Sequence, residues 1–149
     1  LIESENIKNI IMIGYINPEK FDIFHAFYER ADVYVSPSVW EEPLGLTILE
    51  AMAAGTPVVA TKKGGMVSVI KDGENGFFVK ARNSKQIAET VNMLLLNDEL
   101  RKKVSENASK TILDNFTWEK IATQFEDIYK KFTYSTNEYN RIVKGMKKA

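Results

Sequence analysis

Residues 36–60 read SPSVWEEPLGLTILEAMAAGTPVVA and decide the fold class. Within this stretch, Leu46 and Leu49 stand at helical spacing, and Gly55 follows where helices commonly end in a left-handed residue. The run PVVAT at 57–61 is short and apolar, which is typical of a strand covered on both faces. A helix leading directly into such a strand predicts part of a parallel sheet with crossover helices.

The segments around this stretch continue the alternation of strands and helices. Apolar runs predict further strands at 9–16, 32–36 and 76–80, and apolar periodicity predicts helices at 21–30, 44–54, 66–71, 84–96, 98–115 and 117–132. We expect Ser84 to cap the start of its helix. The alternation predicts an α/β domain with a doubly wound, Rossmann-like parallel sheet.

Composition limits the class of protein. The 149 residues are 44% hydrophobic and 27% charged, which suits one globular domain. The 20 basic and 20 acidic residues cancel, so no net charge draws the chain to nucleic acid or to an anionic membrane. The absence of cysteine excludes disulfides and thiolate metal sites and accords with a reducing compartment. We expect a cytoplasmic protein without a nucleic-acid partner; peripheral contact of its basic tail with the inner membrane face is the less favoured alternative.

The predicted start of the helix at Gly45 is a candidate anion site. Ligands of open parallel sheets bind beyond the carboxyl ends of the strands, which is where this helix begins. Its first backbone N–H groups have no partner inside the helix, and the helix dipole is positive there. Glycine lets a ligand approach the backbone closely, so Gly45, Leu46 and Thr47 form a plausible phosphate cradle.

Two acids, Glu42 and Glu50, flank this cradle in the sequence. Helical side chains tilt toward the N-terminus, so Glu50 leans back toward the end at which Glu42 stands. Carboxylates repel phosphate but accept hydrogen bonds from sugar hydroxyls. The arrangement fits a nucleoside diphosphate sugar, with a sugar on each side of its phosphates. The alternative is that Glu42 only complements the helix dipole and that Glu50 belongs to a solvated helix face.

The run at 42–60 resembles the signature of glycosyltransferase family 4, whose members have the GT-B fold. Its hallmark is a pair of glutamates separated by seven residues, matched by Glu42 and Glu50. The resemblance extends over residues 7 to 132. It includes the ADVYVSPS run at 31–38, Gly64-Gly65, the DGENG turn at 72–76 and the FTW run at 116–118.

The resemblance implies a retaining glycosyltransferase of the hexosyltransferase type that uses a UDP-, GDP- or ADP-sugar and needs neither a metal nor another cofactor. Glu42 would be the catalytic residue and would contact hydroxyls of the donor sugar, and Glu50 would hold the ribose. The remaining donor-binding residues would be Gly45, Leu46 and Thr47 at the diphosphate, and Gly14, Tyr15 and Ile16 near the nucleobase.

The sequence departs from the family pattern in three places. Ser68 stands where the family usually has glutamate. The two strands that open the family's nucleotide-binding domain, with their arginine and lysine, are missing, and Lys62 and Lys63 do not match that pair. The acceptor-binding domain is missing too. We therefore expect a partial nucleotide-sugar-binding domain at 1–132 and a polar, then basic, tail at 133–149, and we expect a longer gene product, a partner or altered packing to fill the gap in the sheet.

Two other functions remain open from the sequence. The first is a non-catalytic nucleotide-sugar-binding or regulatory fragment that needs a separate acceptor-binding chain. The second is a related GT-B enzyme that epimerises or phosphorolyses sugars, against which the glutamate signature argues. For the isolated chain we expect no transferase activity.

Overall fold

The computed structural model describes residues 9–17 and 21–146 of the chain. Its elements follow one another as helix α1, strand β1, helix α2, strand β2, a 3₁₀ turn, strand β3 and helices α3, α4 and α5. Their bounds are Phe21–Arg30 for α1, Tyr34–Ser36 for β1, Leu46–Ala53 for α2, Val58–Thr61 for β2, Gly64–Ser68 for the 3₁₀ turn, Phe77–Val79 for β3, Ser84–Leu95 for α3, Asp98–Asn115 for α4 and Trp118–Met146 for α5.

The three strands form one parallel sheet in the order β1-β2-β3, which confirms the predicted α/β class. All four residues of β2 are buried, because helices cover the sheet on both faces. Successive side chains of a strand point to opposite faces. Accordingly, Val58 and Ala60 join the core with α2 and α4, whereas Val59 packs with Leu94 of α3. The sheet is therefore doubly wound, as the sequence predicted.

Helix α2 is held firmly at its C-terminal end. Gly55 adopts the left-handed conformation with φ 77°, as predicted. Its amide donates to the Met52 carbonyl at 3.1 Å and the Thr56 amide donates to the Ala51 carbonyl at 2.9 Å, which together form a Schellman motif. The Ser105 hydroxyl of α4 donates to the Gly55 carbonyl. Because its far end is fixed in this way, α2 presents its N-terminal end in a defined place.

The predicted start of α2 was wrong by two residues, and the predicted cap of α3 was wrong by one. Helix α2 begins at Leu46 instead of residue 44, because Gly45 has φ 64° and cannot continue a right-handed helix. The cap of α3 is Asn83, whose side chain accepts a 3.0 Å hydrogen bond from the Gln86 amide, and Ser84 is already the first helical residue. Asparagine is as good a cap as serine, so composition alone does not separate the two.

The strand predicted at 9–16 does not form within the described residues. Ile11 is 86% exposed and Met12 is 77% exposed, and none of the three strands pairs with this segment. An extended segment is stable only when its backbone groups find partners. The apolar run therefore indicates the tendency to form a strand, but none of the described strands pairs with it.

The helix predicted at 66–71 is instead the 3₁₀ turn at Gly64–Ser68. The Ser68 hydroxyl donates to the Gly65 carbonyl at 2.6 Å. Asn75 then accepts a hydrogen bond from the Lys71 amide at 2.7 Å and donates to the Val69 carbonyl at 3.1 Å. These backbone groups are those that a longer helix would use, so the turn ends where Asn75 binds it.

Helix α5 runs to Met146, well beyond the predicted end at residue 132. No glycine or proline stands between Trp118 and Lys144, so nothing local interrupts the helix. The division into a domain at 1–132 and a tail at 133–149 stays a prediction. Among the helices of residues 9–17 and 21–146, none is long and apolar enough to cross a membrane.

Candidate functional site

The N-terminal end of α2 has unoccupied backbone N–H groups. Gly45 precedes the helix with φ 64° and ψ 64° and provides no side-chain cap. Its carbonyl accepts the first helical hydrogen bond from the Ile48 amide at 2.9 Å. Within the described part of the chain, no group accepts a hydrogen bond from the amides of Leu46 and Thr47. Both residues are exposed, so these two N–H groups are available to an anion.

The carboxylate of Glu42 lies beside this helix start. A Cβ atom added to Gly45 would stand 2.9 Å from Glu42 Oε2 and 3.3 Å from Met66 Sδ. The positive φ therefore favours glycine at residue 45, and a side chain there would make the Glu42 carboxylate move. The acid that the sequence singled out and the predicted phosphate cradle are thus adjacent.

The Gly64-Gly65 pair fixes the backbone that carries Glu42. A Cβ on Gly64 would lie 2.0 Å from the Glu42 carbonyl oxygen, and one on Gly65 would lie 1.9 Å from that of Pro43. The Gly65 amide donates to the Glu42 carbonyl at 2.9 Å. The two chain segments can touch in this way only because neither glycine has a side chain.

A second acid, Glu41, binds the same double-glycine segment, and no sequence pattern singled it out. Its carboxylate accepts hydrogen bonds from the Gly64 amide at 2.6 Å and from Lys63 Nζ at 3.1 Å. The hydrogen bond from the Gly64 amide, followed by that from Lys63 and its charge, lowers the pKa of Glu41. The only available signal was an acid adjoining Glu42 and a lysine adjoining the double glycine.

The space enclosed behind Glu42 is too small for a sugar. Ser36, Trp40, Thr61 and Met66 line it together with Glu42, and it holds about 10 Å³. That is at most the room needed by one water molecule. A sugar in contact with Glu42 must therefore bind on the open side of the loop, where Trp40 is 60% exposed.

Glu50 is exposed on the second turn of α2. It stands four residues after Leu46, roughly 6 Å along the helix axis at about 1.5 Å per residue. Its Oε2 accepts a 3.0 Å hydrogen bond from the hydroxyl of Tyr28 in α1. The predicted ribose-binding acid thus lies just past the middle of the eight-residue helix α2 and is held by a residue that the sequence did not indicate.

Two contacts other than the hydrogen bond to Glu50 hold Tyr28 in place. Its ring meets the Tyr34 ring edge-on, with centroids 5.7 Å apart and planes at 67°. Its carbonyl accepts a 2.5 Å hydrogen bond from Thr56 Oγ1. Burial raises the pKa of the Tyr28 phenol well above its usual range, and the hydrogen bond to Glu50 and the charge of that carboxylate raise it further. The phenol therefore remains a hydrogen-bond donor to Glu50.

Gly14, Tyr15 and Ile16 lie apart from the α2 start. Gly14 has φ 73°, and Tyr15 is 86% exposed. Tyr15 and Ile16 line a cavity of about 380 Å³ together with residues that include Phe27 of α1, and no residue of α2 lines it. Helix α1 is the link between the two places, because Phe27 lines this cavity and the next residue, Tyr28, holds Glu50.

The basic residues near the site are Lys62 and Lys63. Lys63 is paired with Glu41 at 3.1 Å. Lys62 Nζ lies 5.9 Å from the centroid of the Phe78 ring, within the range of a cation–π contact. Across residues 9–17 and 21–146, no three His, Asp or Glu side chains are grouped so that they could hold a metal ion.

Residues 1–111 match the family model described as glycosyl transferases group 1. An uncharacterized glycosyltransferase of Methanocaldococcus jannaschii is 38% identical over 81% of this chain and 30% of its own length. Among solved structures, the C-terminal domain of a group 1 family glycosyl transferase from Francisella tularensis superposes with a TM-score of 0.68 at 33% identity, over 78% of this chain and 59% of that one. The Anabaena protein HepE, solved in complex with UDP, superposes with a TM-score of 0.68 at 28% identity, over 70% of this chain and 29% of that one.

These matches agree with the fold described above, which is that of the C-terminal half of a GT-B protein. The chain spans about 30% of the length of the curated relative from Methanocaldococcus jannaschii.

Proposed function

We propose that this chain, which belongs to the family of group 1 glycosyl transferases, is the donor-binding part of an enzyme that transfers a sugar from a nucleotide sugar to an acceptor. In this proposal the sugar keeps its anomeric configuration. The observation that carries the proposal is the pair of open amides at Leu46 and Thr47, with Glu42 on one side and Glu50 farther along the same helix.

Each residue has a distinct role in the proposal. The amides of Leu46 and Thr47, with Gly45 giving access to them, bind the diphosphate. Glu50 accepts hydrogen bonds from the ribose, and Glu42 accepts them from hydroxyls of the donor sugar. Neither acid binds the phosphates, because two negative groups in contact repel each other.

The nucleobase would occupy the cavity beside α1. Tyr15 and Ile16, which follow Gly14 in the chain, line this cavity, and Phe27 provides an aromatic face in it. Helix α1 connects the cavity to Glu50 through Tyr28, so a base and its ribose could be held by neighbouring residues. The UDP named for the Anabaena structure supports a nucleoside diphosphate ligand, while UDP, GDP and ADP all remain candidates for this chain.

In the proposed reaction the bond between the anomeric carbon and a diphosphate oxygen breaks, and a bond from that carbon to the acceptor oxygen forms on the same face. The proton of the acceptor hydroxyl passes to the leaving diphosphate. Charge develops on the diphosphate as it leaves, so fixed N–H groups aimed at it stabilise the transition state. This chain supplies such groups at the start of α2.

The proposal extends to the acceptor-binding domain, to cofactors and to the location of the enzyme. An N-terminal domain would bind the acceptor and bring the basic pair that neutralises the diphosphate, since Lys63 is engaged by Glu41. We propose that no metal ion or other cofactor is needed, because backbone amides and that basic pair would carry the phosphate charge. We also propose a cytoplasmic location.

Calorimetry on the 149-residue chain tests the proposal with UDP, GDP, ADP and their glucose conjugates as ligands. We expect one of the three bases to be preferred. Glu50→Ala should weaken binding of the diphosphate and of the sugar conjugate alike, and Glu42→Ala should weaken only the conjugate. Glu106→Ala, at an exposed position on α4, is the matched control and should bind like the wild type. Unchanged affinities in both site variants would overturn the roles of the two acids.

The second candidate function is a non-catalytic nucleotide-sugar-binding or regulatory fragment that works with a separate acceptor-binding chain. The ion pair of Lys63 with Glu41 favours it, because this lysine is already engaged and does not supply the positive charge that the diphosphate needs. Nucleotide-sugar binding without any product, even after a complementary acceptor-binding chain is added, would support this second candidate over the enzyme.

A further inference from the structure

Tyr28 connects α1 to the acid assigned to the ribose. We infer that the Tyr28 hydroxyl is a positioning group, which turns the Glu50 carboxylate so that its free oxygen atoms face the two hydroxyls of a ribose. This inference rests on the proposed function of the site and adds to it a residue outside the signature at 42–60.

The geometry makes Tyr28 the fixed partner and Glu50 the mobile one. The phenol ring packs edge-on against Tyr34, and the Tyr28 carbonyl accepts a hydrogen bond from Thr56, so the residue is held from two sides. Glu50 is exposed and has three side-chain torsions. A bond to a fixed partner removes much of that freedom before a ligand arrives, and the ordering of the side chain then costs less on binding.

The Glu50 carboxylate has enough hydrogen-bond acceptor sites for Tyr28 and a diol together. An ionised carboxylate has two oxygens and about four acceptor sites. The Tyr28 hydroxyl uses one site on Oε2, at 3.0 Å. Oε1 and the second site of Oε2 remain for the 2′- and 3′-hydroxyls of a ribose. The phenol donates its single proton to Oε2, so it orients the acid and leaves the other acceptor sites of the carboxylate to those hydroxyls.

A purely structural brace between α1 and α2 is the competing explanation of the same hydrogen bond. A brace would affect all ligands of the site equally when it is lost. A positioning group affects only ligands that carry the ribose hydroxyls. The two explanations therefore predict different patterns with nucleotides that have or lack these hydroxyls.

The test is calorimetry on the full chain with Tyr28→Phe, which removes one hydroxyl and keeps the ring contact with Tyr34. The probes are UDP, GDP and ADP and their 2′,3′-dideoxy counterparts, compared for the base that the wild type binds most tightly. We expect Tyr28→Phe to weaken the ribonucleotide about three- to tenfold, the range of one hydrogen bond, and to leave the dideoxy nucleotide within about twofold. Tyr34→Phe, which removes the neighbouring hydroxyl, should change neither.

The outcomes separate this inference from the proposed function. Equal losses for both nucleotides in Tyr28→Phe, or no loss for either, would overturn the positioning role. If Glu50→Ala abolishes the preference for ribose while Tyr28→Phe retains it fully, the proposed function stands and the inference fails. If none of the six nucleotides binds the wild-type chain, both fail together. Thermal unfolding of each variant, followed by circular dichroism, excludes loss of the fold as the cause of a weaker affinity.

Discussion

Glu42 and Gly45 share one small space, because a Cβ on Gly45 would stand 2.9 Å from the Glu42 carboxylate oxygen Oε2. The positive φ of Gly45 starts α2 with its N–H groups open, and the missing side chain leaves room for the acid. The conformation of one residue therefore sets both the start of α2, where we propose that phosphate binds, and the room for the acid beside it.

Gly45→Ala should impair the site beyond its effect on stability. An alanine held at φ 64° costs about 1–2 kcal/mol, and its Cβ would push the Glu42 carboxylate away. We expect a lower melting temperature and, measured by calorimetry below that temperature, weaker binding of the nucleotide sugar.

Gly73→Ala is the control for backbone strain at Gly45. Gly73 has φ 76°, and its nearest side-chain neighbour is Phe77 at 4.0 Å, so alanine there carries a similar conformational cost away from the site. It should lower the melting temperature comparably and leave nucleotide affinity unchanged. Equal affinity losses in the two variants would show that Gly45 matters only for folding.

The contact of Glu41 with Gly64 and Lys63 predicts a dependence of stability on pH. Because the pKa of Glu41 is lowered in the folded chain, its ionised form stabilises the fold at a pH above the ordinary pKa of glutamate. That contribution is lost as the pH falls through the lowered pKa. Glu41→Gln should therefore melt at a lower temperature than the wild type at pH 7, and the difference should shrink toward pH 3.

The same pH series with Glu106→Gln distinguishes the loss of the Glu41 contact from the general effect of removing one negative charge. Glu106 is exposed on α4, so its substitution should leave a small difference from the wild type at every pH. A constant gap between Glu41→Gln and the wild type from pH 7 to pH 3 would contradict the role of the ionised carboxylate.

Local patterns in the sequence predicted the structure of a segment correctly wherever that structure depends on the segment's own residues. Helices α1 and α4 have the predicted bounds, Phe21–Arg30 and Asp98–Asn115, because apolar periodicity and end signals both lie within the helix. The Schellman motif at Gly55 is equally local. The cradle at Gly45, Leu46 and Thr47 stays a prediction, although the structure does place the glycine directly before the helix.

Contacts between distant residues were beyond such patterns. The hydrogen bonds of Tyr28 to Glu50 and of Gly64 to Glu41 join residues 22 and 23 positions apart. No periodicity relates such pairs, and both depend on how α1, α2 and the 3₁₀ turn pack. The strand prediction at 9–16 was wrong for a related reason: a strand needs a partner, which its own residues cannot supply.

Asn75 is the buried polar residue on which the turn after the 3₁₀ helix depends. It is 1% exposed and makes hydrogen bonds to the Lys71 amide, the Val69 carbonyl and, at 3.0 Å, the Thr111 hydroxyl of α4. Asn75→Ala would remove the partner of the buried Val69 carbonyl and of the partly buried Lys71 amide, at about 1–3 kcal/mol each where no water replaces the side chain. We expect the free energy of unfolding, measured by urea denaturation, to fall by about 2–4 kcal/mol.

Asn92→Ala, at an exposed position on α3, is the matched control for Asn75 and should change the free energy of unfolding by less than about 0.5 kcal/mol. Nucleotide affinity of Asn75→Ala, measured where the variant is folded, should stay close to that of the wild type, because Asn75 lies on the α4 side of the turn and does not touch Glu42 or Glu50. A loss of stability no larger than that of Asn92→Ala would mean that the buried hydrogen bonds of Asn75 are replaced without cost. A large loss of affinity in the folded variant would instead mean that the turn transmits its position to the double glycine and through it to Glu42.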